Sequence, residues 1–120
     1  MELYTIFPDL AGRRATLAGA LSGGQRKMVG IAKALASSPR LLVMDEPSAG
    51  LSPLFVKEVI HVLAGFREQG LSLLIAEQNV KFLDLADRVY TLDGGRIGFT
   101  GTVPEIQEND ALRRAYFGLR

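Results

Sequence analysis

Two short apolar runs, LLVM (Leu41 to Met44) and LSLLIA (Leu71 to Ala76), flank a stretch with helix start and stop signals. That arrangement constrains the fold more than any other feature of the chain. Each run is too short for a buried helix and has no polar alternation, so each reads as a strand buried on both faces, as in a parallel sheet. Between them, Ser52 is a natural N-cap and Pro53 suits the first helical position. Val56, Val59, Ile60, Leu63 and Phe66 form an apolar stripe, and Gly70 is a natural residue just past the helix end. Strand, helix, strand in this order is a βαβ unit, which predicts an α/β fold with the two strands parallel.

The flanking segments extend the pattern. Ahead of the first strand, Met28, Ile31, Ala32 and Leu35 follow the spacing of a buried helix face, and Pro39 stops that helix. A short helix or turn is expected around Glu2 to Phe7, broken by Pro8. After the second strand, Asn79 to Ala86 reads as a helix. Arg88 to Leu92 and Arg96 to Thr100 then read as a β-hairpin turning at Asp93-Gly94-Gly95. Thr102 with Glu105 has capping-box spacing, and Asp110 suits the cap of a last short helix ending at Gly118. There are no repeats and no low-complexity tract.

Composition narrows the class. Lys plus Arg is 14 against 13 for Asp plus Glu, which argues against a dedicated nucleic-acid binder. No cysteine is present, so no disulfide framework and no thiolate metal site can form. No apolar run approaches the roughly 20 residues of a membrane span, and the first residues lack the pattern of a signal peptide.

Four stretches carry candidate chemistry. Ser22-Gly23-Gly24-Gln25 opens a helix, where unpaired N–H groups and the helix dipole favour an anion. Glycines admit a phosphate to the backbone, while the Ser hydroxyl and Gln amide add donors. Taken alone, the tetrapeptide fits a plain N-cap equally well. Asp45 and Glu46 end the first strand, on the side where parallel sheets bind ligands. Asp45 suits Mg²⁺, and Glu46 suits the polarising of a water that attacks a phosphoryl group. Two acids after an apolar run more often simply cap a loop. Ser48-Ala49-Gly50-Leu51-Ser52 is a small, flexible loop suited to close backbone contact. Glu77-Gln78-Asn79 places polar side chains beside Asp45 and Glu46 if the two strands are neighbours.

In this order and spacing, the stretches resemble the nucleotide-binding subunits of ABC transporters. Leu21 to Gln25 match the LSGGQ signature, Leu41 to Glu46 the Walker B strand with its catalytic glutamate, and Ser48 to Pro53 the D-loop. Gln78 falls where the family's switch histidine usually lies. The resemblance covers essentially the whole chain. PDLAGRR, DEPSAGLSP, LLIAEQNV, LADRVYTLDGGRI and ALRRAYFG look like the ATPase of branched-chain amino-acid importers, although urea and amide importers share much of this.

The resemblance implies the C-terminal half of an ABC-type P-loop ATPase domain: a parallel βαβ core plus a C-terminal β-hairpin and short helices. Residues 1–40 would be the end of the helical subdomain with the signature helix, and residues 41–120 the C-terminal part of the catalytic core. It implies ATP and Mg²⁺ as cofactors, with Glu46 and Gln78 catalytic and Asp45 on the metal. Ser22, Gly23, Gly24 and Gln25 would clamp the phosphate of a nucleotide held mainly by a second ATPase subunit in a head-to-tail dimer. Transmembrane permease subunits would be the other partners, no nucleic acid would be bound, and the location would be the inner face of the cell membrane.

The sequence also departs from the family pattern. Gln78 replaces histidine, as the branched-chain subgroup leads one to expect, and Ser52 stands where many members have aspartate. His61 lies inside the helix after the D-loop and reads as a surface or packing residue. No G-x-x-x-x-G-K-[ST] occurs, and the adenine-stacking aromatic and Q-loop are likewise missing. The chain alone is therefore expected to bind ATP poorly, to turn none over, and to expose sheet edges and apolar faces. Two other readings compete: a soluble ABC protein acting on nucleic acid or ribosomes, and a noncatalytic interaction module or gene remnant.

Overall fold

The computed structural model describes residues 23–117. The expected turn at Glu2 to Phe7, Ser22, and the helix end at Gly118 lie outside that range. The chain divides into two compact units, one ending at Glu77 and the other beginning at Gln78.

In the first unit, helix α1 (Gly23–Ala36) buries Met28, Ile31, Ala32 and Leu35, the predicted stripe. It stops ahead of Ser38, whose φ of 52° leaves the helical region, and of Pro39. Strand β1 (Leu41–Asp45) leads through a loop to helix α2 (Pro53–Glu68). Both ends of α2 are closed by local chemistry. Ser52 Oγ accepts the Phe55 N–H at 3.3 Å, and Pro53 occupies the first turn. At the other end Gly70 has φ 103°, the Gly70 N–H donates to Arg67 O at 3.0 Å, and the Leu71 N–H donates to Phe66 O at 3.1 Å. These two bonds form a Schellman stop, which needs the left-handed residue that glycine supplies. The buried stripe of α2 is Val56, Val59, Val62 and Leu63. Ile60 and Phe66, expected in it, are half-buried, and Val62 is the stripe residue that the expectation omitted.

Strand β2 (Ser72–Ala76) pairs with β1 in parallel, from Leu41 opposite Ser72 to Asp45 opposite Ala76. The βαβ reading is thus met. The expectation of burial on both faces is not. Leu42 is buried and Met44, Leu73 and Ile75 are half-buried, whereas Leu41, Val43 and Leu74 on the opposite face are exposed. Successive side chains alternate across a sheet, and only one face of this two-stranded pair is covered by described residues.

The second unit opens with Val80–Leu85, predicted as part of a helix and found as a 3₁₀ helix. Asn79 Oδ1 accepts the Lys81 N–H at 3.0 Å, and i→i+3 bonds close the turns, among them Phe82 N–H to Asn79 O at 3.1 Å. Three residues per turn bring Phe82 and Leu85 to the same side, and both are buried. Strands β3 (Val89–Asp93) and β4 (Arg96–Gly101) form the predicted antiparallel hairpin. Its two-residue turn has positive φ at Gly94 and Gly95, which matches the twist of the flanking strands. Helix α3 (Val103–Glu108) starts with the predicted capping box. Its Thr102 N–H and hydroxyl hold the Glu105 carboxyl below the usual carboxylate range. The final helix α4 (Asp110–Phe117) is capped by Asn109, whose Oδ1 accepts the Leu112 N–H at 3.0 Å. Asp110, expected to be that cap, instead lies in the first turn and pairs with Arg113 at 3.6 Å.

Candidate functional site

Both parallel strands end at the same place. Asp45 is the last residue of β1 and lies opposite Ala76 of β2, so Glu46 and Glu77 follow side by side in sequence register. The C-terminal end of parallel strands is where α/β proteins hold ligands. Asp45 and Glu46 are both exposed there.

Glu46 has a φ of 48°, an unfavourable conformation for a residue with a Cβ. Three contacts hold it. Its N–H donates to Ala76 O at 2.7 Å, which extends the β ladder by one step. Its carbonyl accepts the Ala49 N–H at 3.0 Å, closing a four-residue turn, and also accepts Lys27 Nζ of α1 at 3.0 Å. Pro47, the second residue of that turn, is fully buried and has a ring-fixed φ.

The loop beyond is held from β2. Ser48 donates its N–H to Glu77 Oε2 at 2.9 Å and its hydroxyl to Glu77 Oε1 at 2.8 Å. Leu51 N–H donates to Ser48 O at 3.0 Å. Ala49 and Gly50 are exposed, with Gly50 at φ 77°, Leu51 is half-buried, and Ser52 caps α2.

Gly23 and Gly24, at the start of α1, differ. A Cβ on Gly23 would meet open space. A Cβ on Gly24 would lie 2.8 Å from Phe55 Cδ2 and 3.5 Å from Leu51 Cδ2. Gly24 therefore lets the first turn of α1 sit against the Phe55 ring. Gly23 is exposed and Gly24 is buried. Gln25, expected to offer its amide to a ligand, is only 7% exposed. Gln78 is exposed and belongs to the second unit, and His61 is an exposed residue of α2.

Sequence reasoning gave Lys27 no role of its own, and it set Glu77 beside Asp45 and Glu46 without naming its partner. Lys27 lies three residues after Gly24 and so shares its helix face, which turns it toward the loop. Glu77 directly follows the strand residue that opposes Asp45, so register alone places it at the same sheet end.

The donor set bears on metal. Among the described residues no group of three His, Cys, Asp or Glu side chains is placed to hold an ion. Mg²⁺ is often held by one or two carboxylates together with nucleotide phosphates and water. An exposed Asp45 at a strand end fits that arrangement, with the phosphates supplying the remaining ligands.

This geometry forms the C-terminal end of a parallel strand pair, the end at which α/β proteins hold ligands. Comparison with known proteins makes it specific. The model of the family described as ABC transporter matches residues 5–49. The chain is 40% identical over 118 residues to the high-affinity branched-chain amino acid transport ATP-binding protein BraG of Pseudomonas aeruginosa, covering 98% of this chain and 51% of that protein. It is 39% identical over 106 residues to the lipopolysaccharide export system ATP-binding protein LptB of Haemophilus influenzae, covering 88% of this chain and 44% of that protein. A solved structure of MJ1267, an ATP-binding cassette of an ABC transporter, superposes with a TM-score of 0.78 at 28% identity, over 95% of this chain and 48% of that one. The chain is similar in sequence and fold to ABC transporter ATP-binding proteins. It spans about half the length of the curated relatives it matches. Among the described residues no helix is long and apolar enough to cross a membrane.

Proposed function

We propose that this chain contributes the signature helix, the Walker B carboxylates and the D-loop to the ATPase subunit of an ABC importer for branched-chain amino acids. The observation that carries the ATPase reading is the link between three motifs in one unit. Glu46 is exposed at the strand end, its carbonyl is tied to α1 by Lys27, and its turn runs into a loop held by Glu77.

In this reading Asp45 is the residue that would hold Mg²⁺, and Glu46 polarises the attacking water. Gln78, which opens the second unit, keeps the catalytic role that its place in the sequence pattern implies, through its amide. Gly23 and Ser22 present the start of α1 to a phosphate held by a second ATPase subunit. Mg²⁺ supplies charge neutralisation on the phosphates. Permease subunits would pass the conformational change across the membrane, which places the chain at its inner face. The importer type is supported by the likeness to BraG and by the Glu77-Gln78-Asn79 triplet. The export system is the second reading, because the likeness to LptB is close behind.

The test has two stages. The purified chain is titrated with a fluorescent ATP analogue and Mg²⁺, with Asp45→Asn as control. Weak binding and no turnover are expected, because the chain has no G-x-x-x-x-G-K-[ST] loop. The chain is then grafted in place of the matching part of BraG. ATP turnover that falls about 10²- to 10⁴-fold on Glu46→Gln supports the ATPase reading. Leucine uptake by the chimera supports the importer. A chimera that fails in uptake, while the equivalent LptB graft supports export, selects the second reading. Clear turnover by the ungrafted chain, lost on Glu46→Gln, would overturn the role given to the missing loop.

A further inference from the structure

Glu77 has no catalytic role in the reading above, yet each of its carboxylate oxygens accepts a hydrogen bond from the same residue, Ser48, 29 positions away. Bonds to a carboxylate are roughly twice as strong as neutral ones, and two from a single residue also fix orientation. Ser48 is the third residue of the turn that Ala49 N–H closes on Glu46 O. Pro47, the second residue, is buried and cannot adjust its φ. Pro47 thus keeps only its ψ free, and Ser48 is clamped.

We propose that Glu77 is a positioning residue for Glu46: by clamping Ser48 through two hydrogen bonds, it keeps the turn closed and Glu46 in its left-handed conformation. The proposal rests on the reading of Glu46 as the residue that polarises water, and it adds the group that aims it. Two further contacts fit this role. Lys27 and the Ala76 carbonyl grip the Glu46 backbone from α1 and β2, so Glu77 supplies the third point of support, on the loop side.

Amide hydrogen exchange of the full chain, followed by NMR without nucleotide, tests this independently of ATP. In Glu77→Ala, the Ser48 and Ala49 amides are expected to exchange about three- to tenfold faster, the factor that one net hydrogen bond supplies. The Leu63 amide in the core of α2 should not change. Glu77→Gln keeps one acceptor oxygen and should recover part of the protection. Ser48→Thr keeps both donors and should match the parent chain. Ala49 decides the matter, because its N–H bonds to Glu46 and not to Glu77. Faster exchange at Ser48 with Ala49 unchanged would reduce Glu77 to a local cap and overturn the proposal. If Glu77→Ala unfolds the chain, seen as fast exchange at Leu63, the same Ala49 comparison is made in the near-isosteric Glu77→Gln. Failure of the ATPase reading would appear separately, as turnover of the BraG graft unaffected by Glu46→Gln.

Discussion

Leu42 and Val43 are adjacent in β1 and chemically alike, yet Leu42 is 9% exposed and Val43 62%. The same contrast runs through β2, where Leu73 and Ile75 are half-buried and Leu74 is 60% exposed. One face of the parallel pair is a core and the other is an open apolar surface. Both faces carry residues suited to burial, as in sheets covered by helices on both sides. Residue type thus records the packing a strand is built for, while the neighbours present decide which part of it is realised.

The largest effect should come from breaking the covered face. Leu42→Ala is expected to cost about 2–5 kcal/mol, the range for large-to-small changes in a core. Chemical denaturation of the chain measures it. Val43→Ala, removing a similar side chain one residue later, should cost far less. Equal losses at the two positions would show that both faces are buried in solution.

A second contrast, at the start of α1, sharpens the first. Gly23 and Gly24 are neighbours of one type in two environments, one open and one against Phe55. Gly24→Ala places a methyl 2.8 Å from a ring carbon, and overpacking of this kind costs about 1–3 kcal/mol. Gly23→Ala has room and should be close to neutral. Phe55→Leu should restore part of the loss in Gly24→Ala, because it removes the ring that the methyl meets. No rescue would mean that the clash is relieved elsewhere.

These contrasts show what was legible beforehand. The helix stripes, the Ser52 cap, the Gly70 stop, the hairpin turn and the capping box rest on local chemistry, and all five appear in the fold, the α2 stripe with Val62 in place of Ile60 and Phe66. The parallel pairing followed from the order of elements. What escaped depends on contacts between segments distant in sequence. No local signal says that Gly24 faces Phe55, that Lys27 reaches the Glu46 carbonyl, or that Glu77 takes Ser48. The open sheet face was legible only in part. The runs looked buried on both sides, and the expectation of exposed apolar faces came from the missing phosphate loop. Asp110 lost the capping role because Asn109, one residue earlier, has the right reach to the Leu112 N–H.

The smallest change in folding stability is expected on the open face itself. Val43→Thr with Leu74→Thr replaces two exposed apolar side chains by β-branched polar ones that keep strand propensity. Exposed substitutions of this kind usually stay within about 0.5 kcal/mol, so the denaturation midpoint should barely move. Self-association should move instead. Val43 and Leu74 are opposite each other in the register, and Leu41 adds to the same face, so together they form the kind of apolar patch that drives association. Each strand also has one unpaired edge among the described residues. Sedimentation at several concentrations should show the parent chain associating and the double variant shifted toward monomer. Unchanged association with unchanged stability would assign the interface to the strand edges. A loss of stability near that of Leu42→Ala would instead show the open face covered in solution, and the comparison between the two faces would fail.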